Sequence, residues 1–224
     1  MKRRFYSAFF LLLVIATSIA LDRWLDTAWF TTALLAAVLF FGLQEFMALL
    51  RQGARLAASE PPHPMRERLG RGAAAALCIG VPGAFMLAMR WQTDGLLRVL
   101  YLLAVSKMVD NGALFVGSWL GRHKLAPKIS PAKTIEGVVG GLLAGVAPAG
   151  LLGPVCTSGH WPFFLMFGGV IGVLSILGDL AESVLKRKAG VKDSGAWLPG
   201  IGGILDLLDS VLLSAPAAYF LLAR

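Results

Sequence analysis

Three aspartates, Asp179, Asp206 and Asp209, stand among apolar residues in the last fifth of the sequence. A charged side chain at the centre of a membrane span costs roughly 2.5–3.5 kcal/mol on insertion scales, so acids in such runs need a partner or a wet cavity. Asp206 and Asp209 are three positions apart, which puts both on one face of a helix. Two carboxylates close together in low dielectric either share a proton or bind a cation, and oxygen-only ligands suit a hard divalent ion such as Mg²⁺. Asp179 can complete such a site from the neighbouring helix. The same aspartates could instead pair with lysines from the loops or lie near the interface, and the residues alone leave both readings open. Lys107 and Asp110 also fall within a span, but at a spacing that lets them neutralise each other.

Two basic segments flank these acids. The first, GRHKLAPKISPAKTIEG, carries Arg122, Lys124, Lys128 and Lys133, with Ser130 and Thr134 as hydroxyls, Glu136 close by and His123 as a potential acid or base. The second, ESVLKRKAGVKDSGAWLPGIGG, carries Lys186, Arg187, Lys188 and Lys192 beside Asp193 and a glycine-rich turn. Ammonium and guanidinium groups near free backbone N–H groups favour polyphosphates, while the same cations can simply anchor a loop to lipid phosphates. Basic loops around buried carboxylates suit a nucleoside triphosphate and its metal, with a lipid entering from the bilayer.

The elements that must position these groups are membrane helices. Of the 224 residues 57% are apolar and 15% charged, and the apolar residues form blocks of roughly the 17–25 residues that cross a bilayer core. Seven spans are expected near Phe5–Leu21, Thr27–Leu50, Ala73–Met89, Leu96–Leu120, Ile135–Val155, Pro162–Leu180 and Ile201–Leu222, an all-α polytopic bundle in one membrane domain. With the N-terminus cytoplasmic, 16 of the 21 basic residues fall in cytoplasmic segments, as the positive-inside rule requires. Lys2-Arg3-Arg4 before Phe5–Leu21 could also begin a cleaved leader, with Ser18 and Ala20 near its end; an uncleaved first span keeps the loop-charge pattern intact. Residues 59–64, with three prolines and His63, read as a connector. Glycines 137, 140, 141, 145, 168, 169 and 172 sit at spacings that let helices approach closely.

Composition narrows the function. The net charge of +8 is explained by cytoplasmic loops and anionic lipid head groups, which makes nucleic acid a poor partner. Cys78 and Cys156 have neither disulfide-framework nor metal-type spacing and are expected to be free thiols.

The stretch Ser183–Asp209 resembles the signature of the CDP-diacylglycerol synthase (phosphatidate cytidylyltransferase) family, matching at Ser183, Lys186, Arg187, Lys192, Asp193, Pro199, Gly200, Gly202, Gly203, Asp206 and Asp209 without a gap. Gly178-Asp179 with Glu182, and the run from Asp110 to Gly137, resemble the family's upstream blocks; the first hundred residues match only as generic membrane helices. The resemblance implies transfer of CMP from CTP to phosphatidic acid at the cytoplasmic face of a bacterial inner membrane, by a catalytic region of residues 101–224 preceded by N-terminal helices 1–100. It implies Mg²⁺ at Asp179, Asp206 and Asp209, a second cation, and a homodimer. Lys128, Ser130, Lys133, Thr134, Lys186, Arg187, Gly202 and Gly203 become the expected nucleotide or phosphate contacts, Lys192, Asp193 and Asp209 the expected catalytic groups, and Asp110 and Glu136 further polar groups in the spans.

Departures from the pattern are Ile201 in place of a histidine, Leu207 in place of an arginine, and Leu114 and Ser118 in place of a tyrosine and an arginine. A missing imidazole at 201 is tolerable, since a lipid phosphate is already ionised at neutral pH. The chain is short for the family, which suggests fewer N-terminal spans. Competing readings are a cation-coupled transporter, a polyprenol kinase or archaeol-type cytidylyltransferase, and an inactive paralogue.

Overall fold

A computed structural model describes residues 2–57, 64–195, 197 and 202–223. Its helices are α1 (Lys2–Trp24), α2 (Trp29–Ala57), α3 (Pro64–Ala75), α4 (Val81–Arg90), α5 (Gly95–Leu120), α6 (Ile135–Cys156), α7 (Trp161–Lys188) and α8 (Leu205–Leu222). A π-helical turn, Ala76–Gly80, joins α3 to α4. It ends two residues before Pro82, which has no N–H to offer the α-helical ladder. Among the described residues six segments are long and apolar enough to cross a bilayer: Trp29–Leu56, Leu69–Arg90, Gly95–Leu120, Ile135–Cys156, Trp161–Lys188 and Leu205–Leu222. The protein is an integral membrane protein of the expected all-helical class, with α1 as a further helix of 23 residues.

The chain divides into two compact units, Met1–Leu87 with Leu185–Leu208, and Ala88–Val184 with Asp209–Arg224. In the first, Asp22 at the end of α1 caps α2, accepting from the Phe30 N–H at 2.8 Å and the Thr31 N–H at 3.0 Å, and from the Thr31 hydroxyl. α7 stops in a Schellman motif: Gly190, at φ +70°, donates its N–H to the Arg187 carbonyl, and the Val191 N–H reaches the Lys186 carbonyl. This turn releases the chain into the basic glycine-rich loop.

In the second unit α5 and α6 pack along the glycines of α6. A Cβ at Gly137 would lie 2.7 Å from the Ala113 carbonyl, and one at Gly141 2.7 Å from the Val109 carbonyl, so the backbones touch where side chains are missing. Gly168 and Gly172 pack on α6 in the same way, but Gly169 does not: nothing lies within 4 Å of where its Cβ would be. The Tyr101 hydroxyl donates to the Ala149 carbonyl at 2.8 Å while its ring stacks on Phe167. Leu114, Phe115, Trp119, Leu143 and Leu151 remain exposed, as lipid-facing residues do.

The first basic segment departs from its reading as a loop. It forms a two-stranded antiparallel hairpin, β1 (Lys124–Ala126) and β2 (Ser130–Thr134), closed by a turn in which the Ile129 N–H donates to the Ala126 carbonyl at 3.1 Å. Pro127 at the second turn position supplies the φ that such a turn needs. Pro131 lies within β2, acceptable in a two-stranded ribbon whose outer edge is unpaired.

Candidate active site

In the first unit the signature folds into one hydrogen-bonded cluster. The Lys186 ammonium, on the last turn of α7, lies 2.8 Å from Asp206 Oδ1. Asp206 Oδ2 accepts the Gly203 N–H at 2.7 Å and the Ser194 N–H at 3.2 Å. Asp206, itself in the first turn of α8, thus accepts from N–H groups of the loop that precedes the helix. Gly202 has φ +119°, a conformation disfavoured for any residue with a Cβ, and a Cβ there would also press on Asp206 Oδ2. Lys192 and Asp193 are exposed on the loop, and no ion pair joins them among the described residues. Arg187 is exposed as well and donates to the Val191 carbonyl at 3.4 Å. Ile201, Pro199 and Gly200 lie outside the described residues, while Leu207 is half-buried in the first turn of α8.

In the second unit the acids meet lysines. Lys133 Nζ, from β2, is 2.6 Å from Asp179 Oδ2, and the Ser183 hydroxyl donates to the other oxygen at 3.4 Å. Lys107 lies 3.2 Å from Asp110, as its spacing predicts, and 3.8 Å from Asp209. The Ser210 hydroxyl is shared, accepting from Lys107 at 2.9 Å and donating to Asp110 at 2.8 Å. Asp209 is within electrostatic reach of Asp110, Asp179 and Glu182. Four carboxylates therefore face two ammonium groups.

A cavity of about 580 Å³ opens among these residues, lined by Asp110, Asp179, Lys124, Ser130 and Lys133 and walled on one side by Leu114, Val138 and Ile176. Lys124 lines it, whereas Lys128 sits exposed in the hairpin turn. Thr134 also borders the cavity, but it is 3% exposed and its oxygen accepts the Gly137 N–H at 3.1 Å as the N-cap of α6. Its proton and one lone pair are left for a ligand. Glu136 holds the hairpin's start: it accepts the N–H groups of Arg122 and His123 and pairs with the His123 ring at 2.6 Å. His123 is thereby tied to Glu136, with its side chain 75% exposed.

The chemistry of this donor set fits a divalent cation, since the ligands are all carboxylates and outnumber their lysine partners. Among the described residues, however, no three His, Cys, Asp or Glu groups converge as a ready cage. Each of Asp179, Asp206 and Asp209 has an ammonium near it instead. Pairing with loop lysines, the alternative left open by the residues, is the arrangement found for Asp179.

One group at the signature was missed. Glu45 of α2 is 5% exposed, and its Oε2 accepts from the Ser194 hydroxyl at 3.0 Å and the Leu205 N–H at 2.8 Å. A single acid within an apolar span was the available signal.

Residues 56–224 match the model of the cytidylyltransferase family. The chain belongs to that family. It is 40% identical over 173 residues to the phosphatidate cytidylyltransferase of Synechocystis sp., covering 71% of this chain and 56% of that protein. The phosphatidate cytidylyltransferase of Bacillus subtilis is 42% identical over 151 residues, 66% of this chain and 56% of the relative. The uncharacterised protein YnbB of Escherichia coli is 40% identical over 126 residues, 56% of this chain and 42% of the relative. The chain spans about half the length of the curated relatives it matches.

Proposed function

We propose that the protein transfers the CMP moiety of CTP to the phosphate of phosphatidic acid, releasing pyrophosphate and leaving CDP-diacylglycerol in the membrane. The observation that carries this reading is the contact network of Lys186, Ser194, Gly203 and Asp206: residues spread along the signature hold one another in a single corner, with a lysine and two backbone N–H groups gathered on one carboxylate. Family membership and the names of two relatives support it.

An oxygen of the lipid phosphate attacks the α-phosphorus of CTP, a new P–O bond forms, and the bond to the β-phosphate oxygen breaks. The lipid phosphate is already ionised, so no base has to act first. The protein's work is positioning and neutralising charge on the non-bridging oxygens. Lys133, Lys186, Arg187 and Lys128 supply positive charge, and Gly202, Gly203, Ser130 and Thr134 supply room and hydrogen-bond donors. Lys192, on the exposed part of the loop, supplies a further phosphate contact, and Asp193 orients Lys192 or touches the metal. Asp179, Asp206 and Asp209 would hold Mg²⁺, with a second cation in the same acidic surroundings; bound there, the metal would neutralise developing charge on the phosphates. The lysines that pair with these aspartates would then turn to phosphate oxygens. We place the reaction at the cytoplasmic face of a bacterial inner membrane, with the N-terminus on that side and the protein working as a homodimer.

The test is incubation of detergent-purified protein with labelled CTP, phosphatidic acid and Mg²⁺. A lipid-soluble cytidine product with stoichiometric pyrophosphate is expected. Release of CDP would assign a kinase, and label remaining in CTP would remove the reaction.

A further inference from the structure

Glu45 is a costly residue to keep: an acid inside a membrane-spanning helix, almost fully buried, whose Oε1 has no hydrogen-bond partner among the described residues. Its other oxygen holds both ends of the signature loop, through the Ser194 hydroxyl and the Leu205 N–H. The Leu205 N–H is one of the donors at the start of α8 that no helical carbonyl can satisfy, and Ile204 before it has no side-chain acceptor to cap the helix. The cap comes instead from a helix 160 positions earlier. The loop is shaped to admit it, because a Cβ at Gly195 or at Gly203 would fall on the Glu45 carboxylate. Ser194 links this clamp to Asp206, giving its hydroxyl to Glu45 and its N–H to Asp206.

We propose that Glu45, which lies before the family-matched stretch, is a positioning residue: it closes the signature loop at both ends and so fixes Asp206 against Lys186. An apolar residue of the same size would fill the space but leave Leu205 and Ser194 without an acceptor. The kinetic part of its test rests on the reaction proposed above; the exchange part does not.

The experiment compares full-length wild type with Glu45→Gln, Glu45→Leu and Ser194→Ala in detergent, by hydrogen exchange of residues 194–206 and by kcat and KM for CTP. Glu45→Leu is expected to lose roughly tenfold or more in loop protection and in kcat/KM, the cost of a buried acceptor, while α5 and α6 keep their protection. Glu45→Gln, which can keep a carbonyl oxygen at the Oε2 position, recovers most of both. Ser194→Ala shows the same local loss at a smaller size, and gives the answer should Glu45→Leu fail to fold. Wild-type exchange in Glu45→Leu, or a loss spread evenly over all helices in every variant, overturns the clamp. If wild type makes no cytidine lipid but the loop alone loses protection in Glu45→Leu, the clamp stands and the reaction falls.

Discussion

The signature corner of the first unit and the cavity of the second both gather acids withdrawn in part or wholly from solvent, yet they satisfy them differently. At the corner, Asp206 and Glu45 are held largely by backbone N–H groups and a serine hydroxyl, donors fixed by the course of the chain. Around the cavity, Asp110, Asp179 and Asp209 are met by Lys107 and Lys133, ammonium groups on flexible four-carbon stems. Fixed donors specify a conformation, whereas flexible cations can be exchanged for other cations or moved to other anions. On the proposed function, the corner would shape a loop and the cavity would trade charge with substrate and metal.

The largest effect should come from Asp206, where both roles meet. Asp206→Asn keeps a carbonyl oxygen for the Gly203 and Ser194 N–H groups but removes the charge facing Lys186. Turnover should fall by at least about a hundredfold, the scale of losing a preorganised electrostatic contact, with loop protection near wild type. Asp206→Ala should lose both. Cytidine-lipid formation and hydrogen exchange measured on the same samples check this; near-normal turnover in Asp206→Asn would remove the residue from the metal site and erase the distinction between shape and charge.

Next in size is Lys133. Its ammonium is the only one within 4.0 Å of Asp179 among the described ion pairs, and it lines the cavity. Lys133→Met should cost roughly tenfold in kcat/KM, mostly through a higher KM for an anionic substrate, with the signature loop's exchange unchanged. Lys133→Arg should recover part of it. A lowered loop protection in Lys133→Met would contradict the division of labour.

These regions also differ in how far the sequence discloses them. Long apolar runs locate α5 and α6 to within a residue or so, because hydropathy marks where helices meet the bilayer surface. α7 runs on to Lys188, eight residues beyond its expected end at Leu180, since Ala-Glu-Ser-Val-Leu-Lys-Arg-Lys favours helix but carries no hydropathic signal outside the membrane. The hairpin was hidden by strands of three and five residues, one containing proline. Lys186, Gly203 and Asp206 were legible because their contacts lie within one signature. Glu45 stood out only as an acid in an apolar span; its partners were hidden, since they stand 149 and 160 positions away.

The smallest expected effect is the most direct measure of exchangeability. Lys107 bridges Asp110, Ser210 and Asp209, and its side chain is 37% exposed, so solvent weakens the pairing. Lys107→Met should therefore lower stability in detergent by only about 1 kcal/mol, and adding Asp110→Asn should return most of that, since the pair is lost together. If the ammonium occupies the electrostatic place of a bound cation, Mg²⁺ should raise the melting temperature of Lys107→Met by more than it raises that of wild type, through mass action on a site no longer competed for. Equal Mg²⁺ shifts in the two proteins would mean that Lys107 is a permanent structural partner of Asp110 and Asp209, and that the cavity's charges are as fixed as those of the corner.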